Sequence, residues 1–284
     1  MARRSKTRQE VAAEIARKIT QGRCQGVGER YVPWTLVREF GSLGQAARIF
    51  GRKTPRIHHL FSLLEQRVFF FFEWLAEVME IREQFVLPLA ETLALAERHG
   101  IRHPRVRGEP VPLTTDFLIT IDRGNGPILI ARAVKYLKDL DPATKGSART
   151  RAKLELERLY WASRGVDWGL ITDRDIPVIF VENVRWVRPY QRFPAMSSLS
   201  TEQILEISLV LTDRILATEE VLGASTKWCD AELGHEPGTA LAIARYLIGT
   251  GQWHVDMHVK LGAWDRVVPD AQDLAPDMFV ESVA

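Results

Sequence analysis

The chain has 284 residues, enough for one large or two medium domains, each with its own apolar core. Its 38 Lys and Arg against 36 Asp and Glu give a net charge of +2. The two cysteines, Cys24 and Cys229, lie far apart, which excludes a disulfide framework or a cysteine zinc site. No apolar stretch is long enough for a signal-peptide core or a membrane span. We therefore expect a cytosolic protein without a membrane partner.

The near-neutral net charge conceals a basic N-terminal region in which acidic residues are few. Its basic residues are Arg3, Arg4, Lys6, Arg8, Arg17, Lys18, Arg23, Arg30, Arg38, Arg48, Arg52, Lys53 and Arg56. Such a region predicts a polyanionic partner such as DNA, or else a solvated basic face or a flexible arm. Residues 5–20 also have the apolar spacing of an amphipathic helix.

The stretch 56–88 predicts a central helix that carries an unusual carboxylate. Its apolar residues recur at spacings of three and four, as in a helix that buries one broad face: Leu60, Leu63, Leu64, Val68, Phe71, Phe72, Leu75 and Val78. We expect the FFFF run at 69–72 to pack beneath a sheet. Glu65 lies beside this stripe. It is either exposed on the flank or buried and functional, because carboxylates are seldom buried without a partner or a metal.

Next come a predicted strand at 78–87, a short helix at 91–99, and a hairpin at 113–137 with its turn at 122–127. Asp116 begins the first strand of this hairpin, and Lys135 ends the second. Cross-strand neighbours can face the same way, so both could join Glu65 at one site. Two carboxylates and an ammonium suit Mg²⁺-assisted phosphodiester hydrolysis. The alternative is a structural Asp at a strand start and an edge Lys.

Residues 153–165 predict a helix with Leu154, Leu159 and Trp161 turned inward. We expect its acids, Glu155 and Glu157, to be solvated; the alternative places one of them near the site. Residues 166–173 predict a strand of a mixed sheet, followed by the segment 176–187, and residues 193–200 have the composition of a linker.

A second domain is predicted from about Ser200. Three helices, the last at 237–249, followed by an alternating strand at 253–261, have the outline of a winged helix. The third helix would be its recognition helix. That helix is largely apolar, with Arg245 nearly its only cation, so we expect a protein-binding or structural role rather than base reading.

The chain contains several motifs in a fixed order: GRCQGVGERYVPW (22–34), RIHHLFSLLE (56–65), EIREQF (80–85), HPRVRG (103–108), TTDFL (114–118), AVK (133–135) and KLELERLYW (153–161). In order and approximate spacing they resemble the TnsA family, the endonuclease subunits of the TnsABC machinery of Tn-seven-like transposons. The resemblance covers about the first 190 residues.

This resemblance implies an α/β fold: a restriction-endonuclease-like catalytic domain, a mixed sheet flanked by helices, over residues 1–195, and a winged-helix-like domain over residues 196–284. It implies a DNA endonuclease that depends on Mg²⁺, for which Mn²⁺ can substitute, and that cuts the 5′ ends of a transposon. Glu65, Asp116 and Lys135 fall on the family's catalytic positions. The implied metal ligands are Glu65, Asp116 and the backbone carbonyl of Val134.

The resemblance also implies three partners in the bacterial cytosol: the double-stranded DNA of transposon ends, a strand-transferring TnsB-like transposase, and a TnsC-like AAA+ ATPase regulator. Two other functions compete with this one. The chain could be a stand-alone site-specific endonuclease of the same fold, or a DNA-binding adaptor whose carboxylates are structural.

The sequence departs from the family pattern at Ala133, where the family carries a metal-binding Gln two residues before the lysine. Water and the Val134 carbonyl can replace the lost amide, since Mg²⁺ keeps several waters; we prefer this to compensation by Asp139 or Glu155. The loop before the second strand is also one residue longer. If the strand register is kept, Arg132 points away from the face that carries Ala133.

Overall fold

The computed structural model describes residues 7–39 and 45–270. The predicted basic residues Arg3, Arg4 and Lys6 therefore lie outside the described residues. The chain divides into two compact units between Ile176 and Pro177.

The first unit contains both helices and strands, and we use these bounds throughout. Its helices are α1 (Arg8–Thr20), α2 (Leu63–Trp74), α3 (Leu89–Arg98) and α4 (Ser147–Ala162). Its strands are β1 (Ala47–Phe50), β2 (Ile57–Leu60), β3 (Val78–Val86), β4 (Arg105–Val106), β5 (Glu109–Pro110), β6 (Thr114–Asp122), β7 (Pro127–Val134) and β8 (Asp167–Ile171). The predicted α/β class is confirmed.

A four-stranded mixed sheet is the centre of this unit, with the strand order β3-β6-β7-β8. The β3, β6 and β7 strands pair antiparallel, whereas β7 and β8 pair parallel. A parallel pair needs a crossover connection, and α4 supplies it. The Asp122 side chain accepts hydrogen bonds from the N–H groups of Gly124 and Gly126 and so closes the turn between β6 and β7.

Both faces of the sheet are covered. On one face, Leu118 and Ala131 pack with Leu156, Tyr160 and Trp161 of α4 in a single buried cluster. The other face carries buried residues such as Phe117 and Ile119.

The buried side chains of α2 include Val68, Phe69 and Phe72, and this helix contacts β2, β3 and β7. The apolar run at 69–72 therefore packs against the sheet, as its composition predicts. The helix is shorter than the predicted stripe, because Leu60 belongs to β2 and Val78 to β3.

The second unit consists of helices in its described part: α5 (Val178–Val187), α6 (Phe193–Met196), α7 (Thr201–Ala217), α8 (Leu222–Leu233) and α9 (Thr239–Thr250). The predicted boundary at 195/196 differs from the observed one because α5 packs against α9 and so belongs to this unit. The α7, α8 and α9 helices agree with the three predicted helices.

The predicted strand at 253–261 is wrong, since this segment forms turns and irregular backbone. Its apparent alternation comes from Trp253, Met257 and Leu261, which are buried at a spacing of four. The β-ribbon of a winged helix is thus absent from the part of the second unit that the structure describes, up to residue 270. Across 7–39 and 45–270, no helix has the length and apolar character needed to cross a membrane.

Candidate active site

Asp116 lies on β6 and is 9% exposed. The β6–β7 ladder pairs Phe117 with Arg132 and Leu118 with Ala131. Because side chains alternate along each strand, Asp116 shares a face with Ala133, and Arg132 points the other way, as predicted. This register lets Asp116 Oδ2 accept a hydrogen bond of 2.7 Å from the Val134 N–H.

Lys135 follows β7 directly and is held in place by both neighbouring strands. Its backbone N–H donates to the Ile171 carbonyl, and its Nζ lies 2.7 Å from Asp116 Oδ2. Nζ also donates to the Val134 carbonyl at 2.7 Å. Burial lowers the pKa of Lys135, but the charge and hydrogen bond of Asp116 outweigh that effect, so the pKa is raised from its usual value. The ammonium is therefore charged at neutral pH.

Glu65 lies in the first turn of α2, where the helix start fixes its carboxylate. Ser62 caps the helix by accepting from the Glu65 N–H at 3.0 Å, and its hydroxyl donates to Glu65 Oε1 at 3.2 Å. The Phe61 N–H donates to Oε2 at 2.9 Å. Burial, followed by the charge of Asp116, raises the pKa of Glu65 to about 7. Glu65 is thus buried rather than exposed on the flank, and it lies close enough to Asp116 for the charge of Asp116 to shift its pKa.

Glu157 is a third carboxylate near the site, and the expectation that it is solvated is wrong. This residue is 5% exposed, and the Trp168 indole N–H donates to its carboxylate at 3.1 Å. Burial, followed by the charge of Asp116, raises the pKa of Glu157 to about 8. Its sequence signal was its spacing: Glu157 lies three residues after Leu154 and four before Trp161, on the buried stripe of α4. Glu155 instead pairs with Arg158.

The site opens onto a cleft of about 360 Å³, and Glu65 is not among the residues that line it. Asp116, Lys135 and Glu157 line it, together with Lys153. Asp139, one of the two predicted compensating acids, also reaches this cleft, whereas Ala133 is completely buried. The other, Glu155, does not line it.

The oxygen atoms at this site suit a hard cation, although only a few of them belong to carboxylates. Within the described part of the chain, no group of three or more His, Cys, Asp or Glu residues is placed to hold a metal ion. The candidate donors are two carboxylates, Glu65 and Asp116, and the Val134 carbonyl. Two of these oxygens converge on a positive charge, since Lys135 Nζ bonds both Asp116 Oδ2 and the Val134 carbonyl. Oxygen donors of this kind fit Mg²⁺, which completes its shell with water.

Two family profiles match the chain in sequence. One, described as TnsA-like endonuclease N terminal, matches residues 76–173, and the other, described as TnsA endonuclease C terminal, matches residues 175–257. Together they span more than half of the chain. The chain belongs to the TnsA family. The site residues Asp116, Lys135 and Glu157 lie within the N-terminal match, and Glu65 precedes it.

An individual TnsA protein shows the same similarity. The transposon Tn7 transposition protein TnsA of Escherichia coli is 41% identical over 175 residues. The alignment covers 61% of this chain and 62% of that relative. The boundary between the two TnsA profiles, near residue 174, lies close to the division between the two compact units.

Proposed function

We propose that this TnsA-family chain is the DNA endonuclease subunit of a heteromeric transposase, hydrolysing the phosphodiesters at the 5′ ends of a transposon during cut-and-paste transposition. The observation that carries the proposal is the ion pair of Asp116 and Lys135 at the edge of one cleft, with the buried Glu65 near enough for the charges of both to shift its pKa. Action at transposon ends is supported by the relative, which is described as a transposition protein.

The cofactor we propose is Mg²⁺, with Mn²⁺ as a substitute. Glu65, Asp116 and the Val134 carbonyl would hold the ion. When bound, it lowers the pKa of water and offsets the charge that develops on the phosphate. Ala133 supplies no donor, so water fills that position in our proposal, as two carboxylates are enough for an ion that keeps several waters.

The remaining groups of the site orient the two carboxylates and supply positive charge. The Val134 N–H and Lys135 hold Asp116 in one orientation, and Ser62 and the Phe61 N–H do the same for Glu65. Lys135 is the only one of the three predicted catalytic residues that brings positive charge. Its ammonium can orient the attacking water or stabilise the scissile phosphate in the transition state.

We also propose a restriction-endonuclease-like arrangement for the first unit. Its support is a mixed sheet with the Asp on an antiparallel strand, the Lys at the end of the next strand, and the Glu on the preceding helix α2. The proposed partners are the double-stranded DNA of transposon ends, a TnsB-like strand-transferring transposase and a TnsC-like AAA+ ATPase. Because all three partners are found where bacterial DNA is, we place the protein in the bacterial cytosol.

Single-turnover cleavage of an end-containing duplex, with the transposase partner and Mg²⁺ present, tests the function. Asp116→Asn and Lys135→Met should each lower the cleavage rate by about 100-fold or more, because each removes charge stabilisation from the transition state. Arg158→Ala, which removes an exposed cation paired with Glu155, is the matched control and should cut normally. Near-normal cleavage by Asp116→Asn would remove Asp116 from the active site.

A further inference from the structure

A second hollow, of about 410 Å³, adjoins the N-terminal half of α4. We name it the α4 groove, and its charged lining residues are Arg102, Arg105, Arg149 and Lys153. No carboxylate lines it. The α4 groove continues into the catalytic cleft, because Pro104 and Lys153 line both hollows.

The charges of the α4 groove are not neutralised within the described residues. Arg149 donates to the Arg105 carbonyl at 3.5 Å, and Arg105 donates to the Gly108 carbonyl at 2.8 Å. Both acceptors are neutral. Burial lowers the pKa of Lys153, the positive charges of Arg149 and Lys135 lower it further, and the charge of Asp116 in the neighbouring cleft offsets only part of this. These cations therefore crowd one another, and an anionic ligand would relieve the repulsion.

The helix geometry explains why the cations share one side. Arg149 and Lys153 are four residues apart on α4, so their side chains lie one above the other on the same face. The buried face of the helix, with Leu156 and Tyr160, packs on the sheet. Arg102 and Arg105 come from the segment between α3 and β6 and complete the opposite wall.

We propose that the α4 groove binds the phosphodiester backbone of duplex DNA next to the scissile phosphate and so directs one strand into the catalytic cleft. This inference rests on the proposed endonuclease function. Guanidinium groups match phosphate oxygens in geometry, and an acid-free row of cations supplies binding without reading bases. The groove thus fixes the position of the strand, whereas sequence choice is made elsewhere.

Equilibrium binding of a fluorescent duplex to the full chain, without divalent metal and over a range of KCl concentrations, tests the inference. Arg149→Ala and Lys153→Ala should each weaken binding equally for end-containing and unrelated duplexes. Each should also reduce the slope of log affinity against log salt by about one. Arg149→Lys keeps the charge and should keep the wild-type slope. Arg158→Ala, on the same helix but ion-paired with Glu155, should bind like the wild type.

The outcomes separate this inference from the proposed function. Asp116→Asn should keep full DNA affinity and lose cleavage. Wild-type affinity and slope in folded Arg149→Ala and Lys153→Ala proteins would overturn the groove while leaving the nuclease intact. A wild-type chain that binds no duplex at low salt, or prefers single-stranded RNA in competition, overturns the groove as well. Thermal unfolding of each variant checks that the fold is kept.

Discussion

Lys135 occupies the position between two oxygens that we assign to the cation. Its Nζ lies 2.7 Å from both Asp116 Oδ2 and the Val134 carbonyl. The ammonium therefore offsets the charge of Asp116, and a Mg²⁺ ion held by these oxygens, as we propose, would compete with it for them.

The first prediction at this scale concerns metal affinity. Lys135→Met should bind Mn²⁺ about tenfold more tightly than the wild type, because a competing positive charge is removed from the donor oxygens. Lys135→Arg keeps the charge and should show no such gain. Calorimetric titration at pH 8 without DNA measures this directly. Weaker binding by Lys135→Met would show that the ammonium does not compete with the ion.

The second residue-scale prediction concerns Glu157, whose pKa burial raises to about 8. A raised carboxyl pKa means that the folded state binds this proton more tightly than the unfolded chain does. The contribution of the protonated carboxyl to the free energy of unfolding is therefore fully present below the usual pKa of a Glu, and it is lost as the pH rises through 8. Glu157→Gln should remove this loss. Without metal, it should be more stable than the wild type at pH 8 to 9 by on the order of 2–4 kcal/mol.

Chemical denaturation of the two proteins from pH 5 to pH 9 measures the difference. Glu155→Gln is the matched control, because hydrogen bonding and charge from Arg158 lower the pKa of Glu155. This control should show no gain at high pH. Parallel stability curves for Glu157→Gln and the wild type would mean that Glu157 is ionised and compensated in the folded protein.

At the scale of elements, the start of α2 links helix stability to the site. Ser62 caps α2 and also bonds the Glu65 carboxylate. Ser62→Ala should lower the free energy of unfolding by about 1 kcal/mol. It should also reduce cleavage by roughly tenfold at limiting Mg²⁺, since bonds that orient a ligand affect metal affinity.

Ser200 provides the control, because it caps α7 in the same way through the Gln203 N–H. Ser200→Ala should cost similar stability and leave cleavage unchanged. Unfolding curves and single-turnover rates of both variants, measured side by side, distinguish positioning of Glu65 from helix capping. An equal effect of the two variants on cleavage would contradict the positioning role.

The elements that the sequence predicted well are those with local signals. Alternation and a turn rich in Asp and Gly predicted β6 and β7 almost to the residue, and the register that follows puts Asp116 beside Lys135. The strand at 253–261 failed because burial at every fourth residue, as at Trp253 and Met257, also matches a period of two. The α4 groove was not predictable, since its two walls are about fifty residues apart in the chain.

The basic N-terminal region shows that charge composition also has limited predictive value. Sequence composition predicted a polyanion contact there, but several of its described cations are used inside the first unit. Arg23 pairs with Glu39, and Arg56 makes a buried pair with Glu83. Burial raises the pKa of Glu83, but the hydrogen bonds of Arg56 and His58 outweigh it and lower the pKa to about 2. Counting charges along a sequence cannot separate such structural pairs from a binding surface.

At the scale of the whole molecule, we consider where base recognition could lie within residues 7–39 and 45–270. The α9 helix, which stands at the recognition position of the predicted winged helix, is buried along most of its length. Its one cation, Arg245, donates to the Trp186 carbonyl at 3.0 Å and stacks on the Tyr190 ring at 3.6 Å. Arg245 is therefore engaged within the second unit. The α4 groove offers only phosphate contacts, which position DNA without specifying sequence.

A nuclease that contacts DNA mainly through phosphates would damage its host if it cut alone, so we expect its activity to depend on a partner. The purified chain with Mg²⁺ should leave plasmid DNA nearly intact, and it should cut when a strand-transferring transposase holds the transposon ends. Plasmid nicking and linearisation, with and without that transposase, measure this dependence, and Asp116→Asn gives the background. Efficient cleavage at a defined sequence by the chain alone would establish the stand-alone endonuclease instead.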